Sequence, residues 1–228
     1  MDKRRWKNYI KRMRAVIITE YGGAEKLAIG DWPKPEPADR EILVKVAATA
    51  VNRADIQQRM GKYPPPKGAS PLLGLEMSGT VAGVGPGTAR WKEGDKVCGL
   101  LPGGGYAEYA VIHEDLALPV HSGMSLTDAA AVPEVFMTAF QALRWLADLQ
   151  ESESILIHAG GSGVGTAAIQ LAREFGAANI IVTASKPKHE ICRTLGADRA
   201  VDYKNVDFAE AVKEYTKGRG VDEIGRAH

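Results

Sequence analysis

The feature that most restricts the fold of this 228-residue chain is a glycine-rich loop that joins an apolar segment to a run of small residues. The apolar segment at residues 155–158 predicts a buried strand, and the alanine-rich run after it predicts a helix. Glycines between them let backbone N–H groups approach a pyrophosphate, and the helix N-terminus supplies partial positive charge. The pattern predicts a phosphate-binding turn formed by Gly160, Gly161, Ser162, Gly163, Val164 and Gly165.

The loop does not follow the strict G-x-G-x-x-G pattern of dinucleotide-binding proteins, because Ser162 and Thr166 stand at positions where glycine would be expected. A glycine-rich connection that binds no ligand is therefore an alternative. The strand before the loop, the helix after it and a second strand at residues 180–184 favour dinucleotide binding.

The residues that follow the second strand bear on which dinucleotide is bound. An NAD-binding protein places an acidic residue about 20 residues beyond the loop, where its carboxylate binds the ribose hydroxyls. Ser185 and Lys186 stand at that point here. A hydroxyl and an ammonium group can bind the 2′-phosphate that a carboxylate would repel. The sequence therefore predicts NADPH as the cofactor, with an ordinary solvated lysine as the alternative for Lys186.

The overall composition argues against several other kinds of partner. A formal net charge of +1 provides no overall field for nucleic acid or an anionic membrane. No segment reaches the ~18 uninterrupted apolar residues of a membrane span. Cys98 and Cys192 have no disulfide or metal-ligand spacing, which is typical of structural thiols in a reducing compartment. We therefore expect a cytoplasmic protein that acts on a small molecule.

The pattern of strands and helices changes near residue 125. Residues 13–125 contain short β-branched runs separated by turn residues, which predicts hairpins in a compact β-barrel. Residues 126–153 form a helical connecting region with Ser125 and Thr127 as candidate N-caps. Residues 154–222 alternate strands with helices, which predicts a parallel sheet of the Rossmann type. The predicted fold class is α/β.

The two ends of the sequence differ from the rest. Residues 1–12 carry six basic side chains, and we interpret them as translated upstream sequence or a frayed tail, with a mitochondrial targeting helix as the alternative. Residues 223–228 do not resemble a buried strand, and we interpret them as an atypical tail after a C-terminal truncation. Because a doubly wound sheet uses about six strands, the Rossmann domain is expected to be incomplete, and such a chain to bind cofactor weakly and aggregate.

Several short motifs carry a resemblance to a known family. They lie, together with the glycine loop, at residues 51–55, 61–66, 73–79, 101–109, 133–134 and 138–140. Over residues 13–222 the sequence resembles the zinc-free quinone oxidoreductase branch of the medium-chain dehydrogenase/reductase superfamily, closest to the p53-inducible quinone oxidoreductase group. The resemblance implies a GroES-like β-barrel domain followed by a Rossmann domain, and a homodimer for the full-length form.

The resemblance also implies roles for particular side chains. Asn52, Tyr63 and Thr138 would line the slot for nicotinamide and substrate, and Tyr203 would lie near the 2′-phosphate with Ser185. Each residue also has a purely structural interpretation. Tyr63 could pack in its proline-rich loop, Asn52 and Thr138 could be helix caps, and Tyr203 could end a strand.

The residues also predict that no metal is bound. Zinc-dependent relatives carry a cysteine near residues 52–55, a histidine at the position of Leu75 and a four-cysteine lobe. Here neither ligand set is present, and the five histidines are scattered without ligand spacing.

Because no Lewis acid is expected, the resemblance implies an acceptor that can take up a hydride without activation by a metal. The predicted reaction is hydride transfer from NADPH to a quinone, with the developing phenolate held by Asn52 or Tyr63 and protonated by water. An enone or enoyl-thioester reductase is one alternative, for which Tyr63 is the candidate proton donor. A non-catalytic nucleotide-binding fragment is another.

Overall fold

Short β-branched segments form the strands of the first part of the chain. The computed structural model describes residues 11–226, and the chain divides into two compact units between Glu134 and Val135. The strands of the first unit are β1 (Arg12–Ile18), β2 (Leu27–Pro33), β3 (Glu41–Ala48), β4 (Glu76–Val84), β5 (Lys96–Leu100), β6 (Tyr109–His113) and β7 (Leu118–Pro119). Its helices are α1 (Arg53–Arg59) and α2 (Leu126–Ala129).

Antiparallel pairing organises the first unit. Five strands form one sheet in the order β6-β3-β4-β5-β7, and β1 pairs with β2 in a separate two-stranded sheet. Side chains of the five-stranded sheet meet in an apolar core around Ile42, Val44, Met77 and Val97. Removing these side chains from water is the main term that stabilises the sheet. The hairpins predicted for this part of the chain are confirmed.

The helices near the division between the units are shorter than the sequence predicts. Ser125 caps α2 as expected, because its Oγ accepts a hydrogen bond from Asp128 N at 3.1 Å. After α2 come α3 (Pro133–Phe140) and a π-helical segment (Gln141–Leu146), and the division falls in the first turn of α3 rather than near residue 125. Within residues 11–226 no helix is long and apolar enough to cross a membrane.

Strands and helices alternate in the second unit, as predicted. After the π-helical segment come β8 (Ser154–His158), α4 (Gly163–Glu174), β9 (Asn179–Thr183), a 3-10 turn (Lys186–Lys188), α5 (His189–Thr194), β10 (Arg199–Val201), α6 (Phe208–Tyr215) and β11 (Glu223–Arg226). The strands form a parallel sheet in the order β10-β9-β8-β11. Its core contains Ile155, Ile157, Ile169 and Ile180.

The prediction of an atypical tail after residue 222 is wrong for residues 223–226. These residues form β11, which pairs in parallel with β8. Asp222 fixes the start of the strand, because its carboxylate accepts a hydrogen bond from Ser154 N at 2.8 Å and its N–H donates to Ser154 O at 2.9 Å. Backbone pairing needs no apolar side chain, and Ile224 is 64% exposed. Residues 1–10 of the predicted basic extension, and residues 227–228, lie outside the described residues, whereas Arg12 begins β1.

A buried carboxylate ties together three loops of the first unit. Glu114 has 2% of its side chain exposed, and its Oε1 accepts a hydrogen bond from Arg40 Nε at 2.8 Å. Its Oε2 accepts hydrogen bonds from Ala89 N at 2.8 Å and from Arg90 N at 2.9 Å. The Arg90 N–H, the Arg40 guanidinium and the Ala89 N–H lower the pKa of Glu114 to about 2.

We predict that Glu114→Gln destabilises the chain in a pH-dependent way. The folded state lowers the Glu114 pKa from its ordinary 4.5, so the charged form contributes stability above that value. This contribution is lost as the pH falls toward about 2. Urea unfolding midpoints of the wild type and the variant should therefore differ most at neutral pH and converge as the solution is acidified. Exposed Glu36→Gln is the control and should leave the midpoints unchanged. A difference that does not depend on pH would contradict this account.

Candidate functional site

The glycine loop lies at the carboxyl end of β8. The strand ends at His158, Ala159 adopts a left-handed φ of 54°, and α4 begins at Gly163. Ser162 caps α4, because its Oγ accepts a hydrogen bond from Gly165 N at 3.1 Å. The N-terminus of α4 therefore lies at the rim of the parallel sheet, where its first N–H groups and its dipole favour an anion.

Close packing explains two of the glycines. A β-carbon on Gly165 would lie 2.3 Å from the carbonyl oxygen of Ala159, and one on Gly160 would lie 2.6 Å from Val182 Cβ. Both distances are far below van der Waals contact, so glycine is what lets the loop and α4 approach the sheet this closely. Val164 follows in the first turn of α4 and packs against the core of the second unit.

A cavity of about 590 Å³ opens beside the loop in the second unit. It is lined by His158, Ala159, Gly161, Ser162, Thr183, Ala184, Ser185, Lys188, Tyr203 and Phe208. Four of the residues predicted from the sequence, Gly161, Ser162, Ser185 and Tyr203, are thus brought together. Lys186 is exposed and is not among the lining residues.

Lys188, rather than Lys186, contacts the glycine loop, and the phosphate-binding role of Lys186 stays a prediction. Its Nζ donates a hydrogen bond to the carbonyl oxygen of Gly161 at 2.8 Å, and a β-carbon on Gly161 would lie 2.5 Å from Lys188 Cδ. The 3-10 turn Lys186–Lys188 contains Pro187 and redirects the chain, so the second lysine meets the loop. The sequence shows a lysine on each side of Pro187, but only the geometry of the turn shows which lysine contacts the loop.

An aromatic and polar wall of the cavity was not predicted. His158 Nδ1 lies 3.1 Å from Thr183 Oγ1, and this hydroxyl accepts a hydrogen bond from Ala159 N at 3.2 Å. The Phe208 ring packs edge-on against the His158 ring, with their centroids 4.8 Å apart. Phe208 comes from the first turn of α6, and nothing in its local sequence marks it as a cavity residue.

A second cavity, of about 230 Å³, lies in the first unit beside Tyr63. It is lined by Ala54, Gln58, Tyr63, Pro65, Pro66, Leu75, Leu100, Leu101, Pro102 and Glu134. We call it the Tyr63 cavity. Tyr63 is 50% exposed, and its hydroxyl makes no hydrogen bond with the part of the chain that the structure describes.

Asn52 caps a helix, as its structural interpretation predicted. It precedes α1, and its N–H donates a hydrogen bond to Asp55 Oδ2 at 2.8 Å. Its side-chain amide donates to Glu76 Oε1 at 2.7 Å. Asn52 does not line the Tyr63 cavity. Thr138 belongs to the second unit, where it lies exposed inside α3 rather than at a cap position.

Two buried carboxylates lie behind the Tyr63 cavity. Asp55 accepts hydrogen bonds from Gly74 N at 3.0 Å and from the Tyr106 hydroxyl at 3.1 Å. Glu76 is fully buried and accepts hydrogen bonds from Asn52 and from Glu134 N at 2.9 Å. Burial raises the pKa of Glu76 and also that of Tyr106. In residues 11–226 no three His, Cys, Asp or Glu side chains are grouped so as to hold a metal ion, and the absence of zinc stays a prediction.

Comparison with known families agrees with both units. A family described as the alcohol dehydrogenase GroES-like domain matches residues 38–122, and one described as zinc-binding dehydrogenase matches residues 163–224. The predicted fold class, a GroES-like domain followed by a parallel Rossmann-like sheet, is thereby confirmed.

Solved structures of several activities resemble the chain. An NAD-dependent alcohol dehydrogenase is 35% identical with a TM-score of 0.86, over 93% of this chain and 70% of that protein. The quinone oxidoreductase from Coxiella burnetii is 34% identical with a TM-score of 0.80, over 89% and 66%. The CurK enoyl reductase is 32% identical with a TM-score of 0.86, over 93% and 66%.

Curated relatives include much longer proteins. The phthioceranic/hydroxyphthioceranic acid synthase of Mycobacterium tuberculosis is 36% identical over 213 residues, which is 93% of this chain. The chain spans about 10% of the length of that relative.

We predict that Gly165→Ala destabilises the second unit more than Gly163→Ala does. The new β-carbon at residue 165 would meet the backbone of Ala159 and Gly160, which cannot move without shifting the loop. The β-carbon at residue 163 would meet only Val135 Cγ1, at 3.0 Å. Overpacking of this kind costs about 1–3 kcal/mol. Urea unfolding should show this loss for Gly165→Ala and a smaller one for Gly163→Ala. Equal midpoints would show that the loop tolerates a side chain.

Proposed function

Since the chain belongs to the medium-chain dehydrogenase/reductase superfamily, we propose that it binds NADPH and transfers a hydride to a quinone. The observation that carries this proposal is the cavity at the carboxyl ends of β8 and β9, which combines a helix N-terminus, a glycine loop and a lysine. Ligands of parallel α/β sheets bind at this edge. In this sheet the strand order also reverses at β8, since β9 lies on one side of it and β11 on the other.

The side chains around the cavity fit a phosphorylated dinucleotide. Lys188 provides a cation, and Ser185 provides a hydroxyl. No carboxylate is found among the described residues that line the cavity, so nothing there would repel a 2′-phosphate. Tyr203 is 54% exposed and offers an aromatic face. These features support NADPH rather than NADH.

When bound, the reduced nicotinamide supplies a hydride. The chain itself positions the dinucleotide: N–H groups at the start of α4 bind the pyrophosphate, and Lys188 with Ser185 binds the 2′-phosphate. Fixing both anionic groups restricts the orientation of the cofactor, and orientation supplies much of the catalytic effect in reactions of this type.

The Tyr63 cavity is the proposed site of the acceptor. Leucine and proline side chains dominate its lining, which suits a flat apolar molecule such as a quinone. The Tyr63 hydroxyl is available to donate a hydrogen bond to the oxygen that becomes a phenolate. Asn52 is assigned a positioning role, because its amide is bound to Glu76. The similarity to quinone oxidoreductase structures supports this choice of acceptor.

A second candidate function is reduction of an enone or an enoyl thioester. The similarity to the CurK enoyl reductase and to long proteins named as an acid synthase or a polyketide synthase favours it. Both reactions use the same cofactor as the source of the hydride. The two functions are therefore distinguished by which acceptor the chain reduces.

We predict that the 228-residue chain oxidises NADPH faster with ortho- and para-quinones than with α,β-unsaturated thioesters. Loss of the Tyr63 hydroxyl removes one hydrogen bond to the developing phenolate, so Tyr63→Phe should lower kcat roughly tenfold. Tyr21→Phe, which changes a 67% exposed tyrosine outside the Tyr63 cavity, is the matched control. Faster turnover of the thioester would favour the second candidate function. An unchanged kcat in Tyr63→Phe would remove Tyr63 from the mechanism.

We predict that Lys188→Ala weakens NADPH binding and leaves NADH binding nearly unchanged. A hydrogen-bonded charge pair contributes roughly tenfold to a hundredfold in affinity, and only NADPH carries the 2′-phosphate. Calorimetric titration with both dinucleotides measures the difference. Lys186→Ala is the control, because Lys186 has the same charge but lies outside the cavity lining. A larger effect from Lys186→Ala would restore the assignment made from the sequence.

A further inference from the structure

The Tyr63 cavity contains a carboxyl group with no partner in the proposed mechanism. Glu134 is one of its lining residues and lies in the first turn of α3. Its backbone N–H is bound to Glu76, whereas its side chain forms no hydrogen bond or ion pair with residues 11–226. Glu134 is partly buried, so its carboxyl group has neither full solvation nor a counter-charge.

The surroundings of Glu134 favour its neutral form. Burial raises its pKa, and the nearby charges of Glu76 and Asp55 raise it further. These two carboxylates are held by neutral donors, namely the Asn52 amide, the Glu134 and Gly74 N–H groups and the Tyr106 hydroxyl. No lysine or arginine of the described chain forms an ion pair with either of them. The partial positive charge at the N-terminus of α3 favours the charged form of Glu134. Burial and the two like charges of Glu76 and Asp55 favour the neutral form.

We infer that Glu134 is the proton donor to the reduced acceptor in the Tyr63 cavity. The inference rests on the proposed function and replaces water as the proton source expected from the sequence. An acid placed in the same apolar cavity as the acceptor can deliver its proton without waiting for solvent to enter.

The step balances in atoms and electrons. The hydride that the reduced cofactor would supply, becoming oxidised, bonds with its electron pair to one quinone oxygen, and the other carbonyl oxygen becomes a phenolate. The O–H bond of Glu134 then breaks, a new O–H bond forms on the phenolate, and hydroquinone results. Glu134 is left as a carboxylate beside Glu76 and Asp55, and this repulsion favours its reprotonation from solvent. With an enone, the same proton would form the C–H bond at the α-carbon.

Substituting Glu134 with glutamine tests the inference, because the amide keeps the size of the side chain and the backbone hydrogen bond to Glu76. We expect kcat for 1,2-naphthoquinone with NADPH to fall roughly a hundredfold, with little change in KM. The wild-type rate should decline as the pH rises through the Glu134 pKa, and this limb should be missing from Glu134→Gln. A purely structural role would not remove one limb of the pH profile. Exposed Glu93→Gln is the control and should behave as the wild type.

A second measurement does not depend on turnover. Carboxyl-carbon NMR of glutamate-labelled protein, with the Glu134 signal assigned by its loss in Glu134→Gln, reports the protonation of this group directly. We expect it to titrate above the ordinary pKa of a glutamate. Titration at the ordinary value, or a wild-type pH profile in Glu134→Gln, would overturn the inference and leave the proposed function standing. A wild-type chain that transfers no hydride to any quinone would overturn both.

Discussion

The contact between the start of α4 and the carboxyl end of β8 is the constraint on which the second unit depends. Gly165 lets the first turn of α4 meet the loop backbone, and Gly160 lets the loop meet the Val182 side chain, which together bring the N-terminus of α4 to the rim of the sheet. With any side chain at these positions the helix would have to move away, and its N–H groups with it. The packing requirement and the ligand requirement are therefore met by the same residues.

The first unit contains negative charge that is buried in two different ways. Glu114 is surrounded by N–H donors and a guanidinium group, which hold its charged form and lower its pKa. Glu76 has only neutral donors, and its pKa is raised. The first arrangement fastens loops together, and the second alters the chemistry of the neighbouring Glu134. At Glu114 the hydrogen bonds outweigh burial, whereas at Glu76 burial outweighs the two hydrogen bonds that lower the pKa.

Local sequence patterns were sufficient to predict most of the fold but only part of the candidate site. The alternation of strands and helices and the glycine loop depend on residues close in sequence, so they could be predicted. Lys188 could not be told from Lys186, because a proline-containing turn decides which lysine faces Gly161. Glu134 was noted only as part of a motif, since its role depends on carboxylates 58 and more residues away along the chain. Residues 223–226 were misjudged because their backbone pairing with β8 is not visible in side-chain hydrophobicity.

The hydrogen bond from Lys188 to the Gly161 carbonyl oxygen has a consequence for how the cavity is filled. Lysine ammonium has three N–H donors, so the two that Gly161 does not use are left for the phosphate of the proposed complex. Because the bond to Gly161 already orders the flexible lysine stem, less side-chain entropy would be lost when that phosphate binds. The loop backbone therefore orients in advance the side chain that is proposed to bind the ligand.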